Sequence, residues 1–251
     1  MSDPEVYAQC LDAQVYTCDL DLLREGCWLN DNVLSLFFAD LCKKGAGEDL
    51  ECVAFAPSLC SFLTHQLSAD DEDFAEESYN CVRGLIPGLF GSGSASFACE
   101  LYIPVNASYG DSRAEFMRVG SGWHWSFLHV RLSRGAEGSI ELSHSHYDSS
   151  PMESNAAAVK VLLQTLRNVM EAALTFKNYS GGLVAVKEVP GNAAADGVKQ
   201  ADGWSCGWYA CYFAKMLRNG SSFASCPPFN FAEMNALMKD VLEEHRVQRD
   251  L

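Results

Sequence analysis

The sequence is short of positive charge. Lysine and arginine number 18 against 33 aspartates and glutamates in 251 residues, a formal net charge of −15. A surface of that sign repels a phosphate backbone, so nucleic acid is not an expected partner. Long apolar runs are missing too: no window reaches the ~18 residues a membrane helix needs, and the N-terminal MSDPEVYAQC has no basic stretch followed by an apolar one. Neither a bilayer nor an export signal is expected. The eleven cysteines are odd in number and scattered, and no two stand as Cys-x-x-Cys. That pattern speaks against a disulfide framework and a zinc knuckle, and for reduced thiols in the cytoplasm or nucleus. No internal repeat is seen, and Gly91-Ser92-Gly93 lacks the further Gly and Lys of a phosphate loop.

What is present is a globular composition, 48% hydrophobic and 11% aromatic, in a length near the upper edge of one domain, so residues 1–251 are read as a single domain. Trp28-Leu29-Asn30-Asp31 opens a helical run with Val33, Leu34, Phe37, Phe38 and Leu41 at helix spacing, Asn30 or Asp31 as cap, and Gly45 and Gly47 as terminators. A strand is predicted over 52–56, and Pro57 sits well in the first turn of a helix containing Leu59, Phe62 and Leu63. From about 66 to 96 an acidic run gives way to Gly and Ser, which reads as a solvated insertion. Strands are expected over 100–105, 125–132, 139–147 and 183–189, the second and third joined as a hairpin. Helices are expected over 154–174, 206–217 and 231–245, the middle one apolar nearly all round and therefore buried. This order predicts an α+β fold, a mixed central sheet flanked by helices around one core.

Cys206 stands where a Gly/Asp-rich loop meets the start of that buried helix. Unpaired amides and the helix dipole favour a thiolate there, and a neighbouring imidazolium favours it further. His124, in Trp123-His124-Trp125, begins a strand from which an imidazole could act as proton acceptor and then donor. Asp148 ends the partner strand of the expected hairpin, where it would hold the imidazole tautomer. Gln200, six residues before Cys206, can aim an amide at the oxyanion that forms on thiolate attack. His129, His144 and His146 lie on the same two strands, but no pair has metal-motif spacing, so no metal and no cofactor are expected.

The order His, Asp, Gln, Cys, with His124-Trp125, Tyr147-Asp148-Ser149, Gln200 five residues clear of Cys206-Gly207, and Trp28-Leu29-Asn30-Asp31, resembles the ubiquitin-like-protein-specific cysteine proteases, the Ulp/SENP family. The resemblance implies a papain-like, circularly rearranged protease fold that cleaves after the C-terminal Gly-Gly of a ubiquitin-like modifier. By it, Cys206 would be nucleophile, His124 base and acid, Asp148 the orienting carboxylate and Gln200 the oxyanion donor. A Gly-Gly tail offers no side chain to grip, so a narrow passage roofed by flat rings selects it. Trp28 and Trp125 would form that passage, and Asp31 would meet the tail's backbone or a basic side chain. The short chain and its motifs look most like the deneddylase branch, which implies a NEDD8-type partner. A SUMO-type modifier is the alternative, and acyl transfer on the same scaffold a further one. A monomer is expected. Ser205 departs from the family, many of whose members carry Asp immediately before the nucleophile.

Overall fold

The computed structural model describes residues 5–44, 50–67, 70–90, 97–116, 123–135, 139–152, 155–177, 185–189, 198–221 and 227–248. A two-stranded hairpin comes first, β1 (Val6–Cys10) with β2 (Ala13–Tyr16), followed by a 3-10 segment over Thr17–Leu23 and the helix α1 (Asp31–Lys44). Then come β3 (Glu51–Ala54), α2 (Pro57–His65), α3 (Phe74–Leu85), β4 (Ala98–Asn106), the short α4 (Arg113–Phe116), β5 (Trp125–Arg134) and β6 (Ile140–Tyr147). The chain closes with α5 (Ala156–Phe176), β7 (Val186–Glu188), α6 (Cys206–Arg218) and α7 (Phe231–Glu244).

The main sheet has the order β3-β4-β5-β6-β7. Its outer pairs, β3 with β4 and β6 with β7, are parallel, while β4, β5 and β6 run antiparallel. Side chains of a strand alternate between faces, and here both faces are apolar. Leu101, Ile103 and Val105 of β4 join Leu128, Val130 and Leu132 of β5 in a layer with α2, α3 and α5. Tyr102 and Phe127 point the other way, into a layer with α1, α6, α7 and the first hairpin. The single core expected from the sequence is therefore two layers separated by one sheet. The mixed sheet with helices on both faces agrees with the α+β expectation.

A correction concerns the acidic stretch. Residues 74–85 are not a solvated segment; they form α3, whose Tyr79 and Val82 are buried against α5. Glu76 and Glu77 fall in its first turn, where negative charge complements the helix dipole. The Gly/Ser tract 91–96 lies outside the described residues. The helix bounds follow the hydrophobic spacing closely elsewhere, and the expected strand over 183–189 is described as Val186–Glu188.

The antiparallel register decides where chemistry can occur. Phe127 pairs with Tyr147, so the residues just before β5 and just after β6 emerge at one end of the sheet. α6 packs across β5 and brings its first residue to that same end.

Candidate active site

The site assembles where strand ends meet a helix start. His124 immediately precedes β5 and Asp148 immediately follows β6. Both are buried. His124 Nε2 lies 2.6 Å from Asp148 Oδ1. The imidazole is also close enough to Cys206, the buried first residue of α6, for the thiol to help raise its pKa. With Nε2 given to Asp148, Nδ1 is the ring atom left for the sulfur. The structure thus brings together the three residues singled out for acid–base and nucleophilic chemistry, from positions 24 and 58 residues apart in sequence (148 − 124 and 206 − 148).

The electrostatics follow from the contacts. Burial by itself would lower the His124 pKa, but its hydrogen bond with Asp148 and then the nearby Cys206 outweigh that and raise it to about 9. Burial likewise works to raise Asp148, yet the bonds from His124 and from the Ser150 amide hold its carboxyl below the ordinary value. At neutral pH the ground state is consequently an imidazolium beside a carboxylate.

Gln200 is clamped beside Asp148. Its backbone N–H donates to Ser149 O at 2.9 Å, and the Ser149 hydroxyl donates to its Oε1 at 2.5 Å. Its Nε2 donates to Asp202 O at 2.8 Å, which leaves the second amide hydrogen free for another acceptor. Lys199 adds a clip, its Nζ donating to Asp148 O at 3.0 Å and Ser150 O at 3.3 Å. Ser205, which stands where an acid is common in the resembled family, is tied to Asp202 instead. Asp202 Oδ1 accepts from the amides of Trp204 and Ser205 at 2.9 and 2.8 Å, and its Oδ2 accepts from the Ser205 hydroxyl at 2.8 Å. The carboxylate is thus present, three residues upstream, bracing the turn that delivers Cys206.

Beside this centre lies a cleft of about 490 Å³ lined by Trp28, Asp31, Pro57, Tyr109 and Trp125, among others. Trp28 is 46% exposed and Trp125 only 7%, so the two rings sit at the rim and in the wall. Asn30, rather than Asp31, caps α1: its Oδ1 accepts from the Val33 amide at 3.1 Å. Asp31 is left on the surface of the cleft. Asp19, buried and unremarked in the sequence, accepts from Asn30 Nδ2 at 2.8 Å and Asn32 Nδ2 at 3.0 Å and so fixes the segment that carries Trp28 and Asp31. Gly207 lies close to the cleft wall: a Cβ there would stand 3.1 Å from Leu29 Cβ, tight enough that Leu29 would have to give by a few tenths of an ångström, and 3.6 Å from Trp125 Cδ1, an ordinary contact.

The other strand histidines do not converge on Cys206. His129 faces Glu100 at 3.8 Å, His144 faces Glu188 at 3.5 Å, and His146 Nε2 lies 2.9 Å from Ser126 Oγ. Among the described residues one group of metal-type ligands comes together, Asp40, Glu244 and His245 within 4.8 Å. Lys44 Nζ already lies 2.9 Å from Asp40 and 2.6 Å from Glu244 there. Among the described residues no helix is long and apolar enough to cross a membrane.

Residues that sequence reasoning missed are Asn155, Ser126, Asp202 and Lys199. Ser126 and Lys199 adjoin motifs that were noticed, whereas Asn155 carries no signal beyond its place before a helix.

No protein-family model matches this sequence, and no curated protein matches it. Solved structures do share its fold. The SUMO protease Ulp1, with its catalytic cysteine oxidized to a sulfonic acid, aligns at a TM-score of 0.52 and 14% identity, covering 96% of this chain and 87% of that one. The catalytic domain of the Chaetomium thermophilum Ulp1-like SUMO protease aligns at 0.53 and 20% identity, over 94% and 79% respectively. The chain has the Ulp1-like protease fold.

Proposed function

We propose that the protein is a cysteine protease that cleaves after the C-terminal glycine of a ubiquitin-like modifier, in the cytoplasm or nucleus. The observation that carries the reading is the contact of His124 with both Asp148 and Cys206 at the sheet end. In this reading the Cys206 sulfur attacks the carbonyl carbon of the terminal glycine as a thiolate. The C=O electrons move onto oxygen, where the free Nε2 hydrogen of Gln200 and the amides opening α6 can receive the charge. As the oxyanion collapses, the bond to the substrate nitrogen breaks, and His124, protonated at neutral pH, gives its proton to the leaving amine. Neutral His124 then takes a proton from water, whose oxygen attacks the thioester; modifier and thiolate separate with the imidazolium restored. Trp28 and Trp125 wall the passage for a tail without side chains, and Asp31 meets its backbone or a basic side chain.

For the modifier itself, a SUMO-type partner is better supported than the NEDD8-type one the motifs suggested, because both solved structures described above are SUMO proteases. The test is labelling of Cys206 by vinyl sulfones of SUMO-type, NEDD8-type and ubiquitin modifiers, with kinetics on the matching C-terminal fluorogenic substrates. Preferential SUMO-type labelling is expected. If none of the three labels Cys206, the reading fails.

A further inference from the structure

Asn155 occupies the position of a helix cap, yet its side chain makes no bond to the first turn of α5. It is turned instead into the sheet end and fully buried. Its Nδ2 faces Ser126 Oγ at 2.8 Å, Val105 O at 2.9 Å and His124 O at 3.4 Å. Its backbone N–H donates to Asp148 Oδ2 at 3.3 Å. One residue therefore touches the end of β4, the start of β5, the main chain of His124 and the second oxygen of the Asp148 carboxylate. The His124 carbonyl is held from a further side by the Ala107 amide at 3.0 Å.

Two features of this arrangement work against folding. A forgone cap loses a bond that Asn ordinarily makes at this position. The Oδ1 of Asn155 is buried with no partner among the described residues, and an empty buried acceptor destabilises. Asn155 has only donors to give Ser126, so the Ser126 hydroxyl hydrogen is left for His146 Nε2 at 2.9 Å. His146 then stays unprotonated, with burial pushing it down to about 4. The result is a fixed, uncharged floor beneath a charged pair.

We propose that Asn155 is the positioning residue of this site, locking the His124 main chain and the Asp148 carboxylate into one unit so that the imidazole keeps its reach to Cys206. The inference rests on the protease reading for its consequence in catalysis, but its geometry can be read without any substrate.

The experiment uses the full chain carrying Asn155→Ala, Asn155→Ser or Asn155→Asp. The last keeps the shape and sets a carboxylate against the His124 and Val105 carbonyls; the second retains a residue able to cap α5. Alkylation of Cys206 by iodoacetamide, followed by peptide mass spectrometry across pH 5 to 10, reads the triad directly. Melting temperature, and kcat and KM on a SUMO C-terminal fluorogenic substrate, complete the set. The expected result is at least a tenfold loss of Cys206 alkylation at pH 7 in all three variants, because an imidazole that has lost its position no longer favours the thiolate. kcat should fall in parallel, KM should stay within about twofold, and Asn155→Ser should melt near the parent. Unchanged alkylation profiles in variants that melt lower would overturn the proposal, since Asn155 would then serve only folding. A parent protein that cleaves no modifier defeats the protease reading while leaving the alkylation test intact.

Discussion

Asp148→Asn probes the electrostatics of the triad most directly. An amide at 148 keeps the shape and a hydrogen-bonding oxygen, but removes the charge 2.6 Å from His124 Nε2. Burial pulls the imidazole below its ordinary pKa, and the bond to Asp148 is the largest influence opposing that, followed by the nearby Cys206. A rise from 6.5 to about 9 corresponds to about 3 kcal/mol in favour of the imidazolium. With most of that withdrawn, His124 should titrate at or below 6.5, so that at pH 7 the imidazolium falls from nearly the whole population to roughly a quarter or less. The acid that protonates the leaving amine and the cation that holds the thiolate are lost together. Alkylation of Cys206 at pH 7 should slow, because the imidazolium that favours the thiolate is gone; the basic limb of kcat/KM should move from about pH 9 to below pH 7 as His124 loses its proton earlier, and kcat/KM at pH 7 should drop by about two orders of magnitude, since each 1.4 kcal/mol is about tenfold. Stopped-flow alkylation and steady-state hydrolysis on the same preparation give both numbers. A variant that keeps its limb near pH 9 and reacts within threefold of the parent would refute the argument, because the charge of Asp148 would then not be what holds the proton on His124.

Three other outcomes are expected. His146 is pushed down to about 4 by burial, so between pH 6.5 and about 4 the unfolded chain binds a proton that the folded one refuses; stability should fall as pH drops through that window, by up to about 3 kcal/mol. Urea midpoints at pH 7, 5.5 and 4 measure it, and His146→Gln should flatten the slope; an equal slope in that variant would assign the loss to other groups. Gly207→Ala places a Cβ 3.1 Å from Leu29 Cβ, so Leu29 must give by a few tenths of an ångström beside Trp125; kcat/KM on the fluorogenic substrate should fall, and parent-like kinetics would show that Leu29 yields without moving the cleft wall. Tyr79→Ala removes a buried ring that packs on Phe90 and Phe176 at 5.3 and 5.6 Å between centroids; a loss of about 3 kcal/mol is expected, whereas a residue in a solvated loop would change stability by less than about 0.5 kcal/mol.

How much of this was legible in the sequence depended on whether one residue or a relation between elements carried the signal. Cys206 at a helix start, and His124 and Asp148 at opposite ends of a hairpin, are local features, and antiparallel register does the rest by turning two strand ends toward one place. α3 was hidden because six acids within residues 70–77 dominate the composition just where its apolar positions begin, and Phe74, Tyr79, Val82 and Leu85 alone are too few to betray its inward face. The double core was hidden because a strand buried on both faces shows a continuous apolar run, which does not say that Tyr102 and Leu101 look toward different layers.

Asn155 was beyond reach for a further reason. The expected helix over 154–174 swallows it, and at a helix start Asn would be taken for a cap, so nothing in the sequence asks for another role. Only coordinates show the side chain spent on Ser126 and on the carbonyls of Val105 and His124 while the cap goes unmade. The same holds for Asp202, which reads as a turn residue until its carboxylate is seen to accept three hydrogens from Trp204 and Ser205. Reactive groups announce themselves by type; the groups that hold them still are ordinary polar residues whose usual local partners have been exchanged for distant ones. A site of this kind is therefore half legible: the atoms that make and break bonds can be read along the chain. The fixity that puts His124 between a carboxylate and a thiol comes from residues whose local sequence suggests other work.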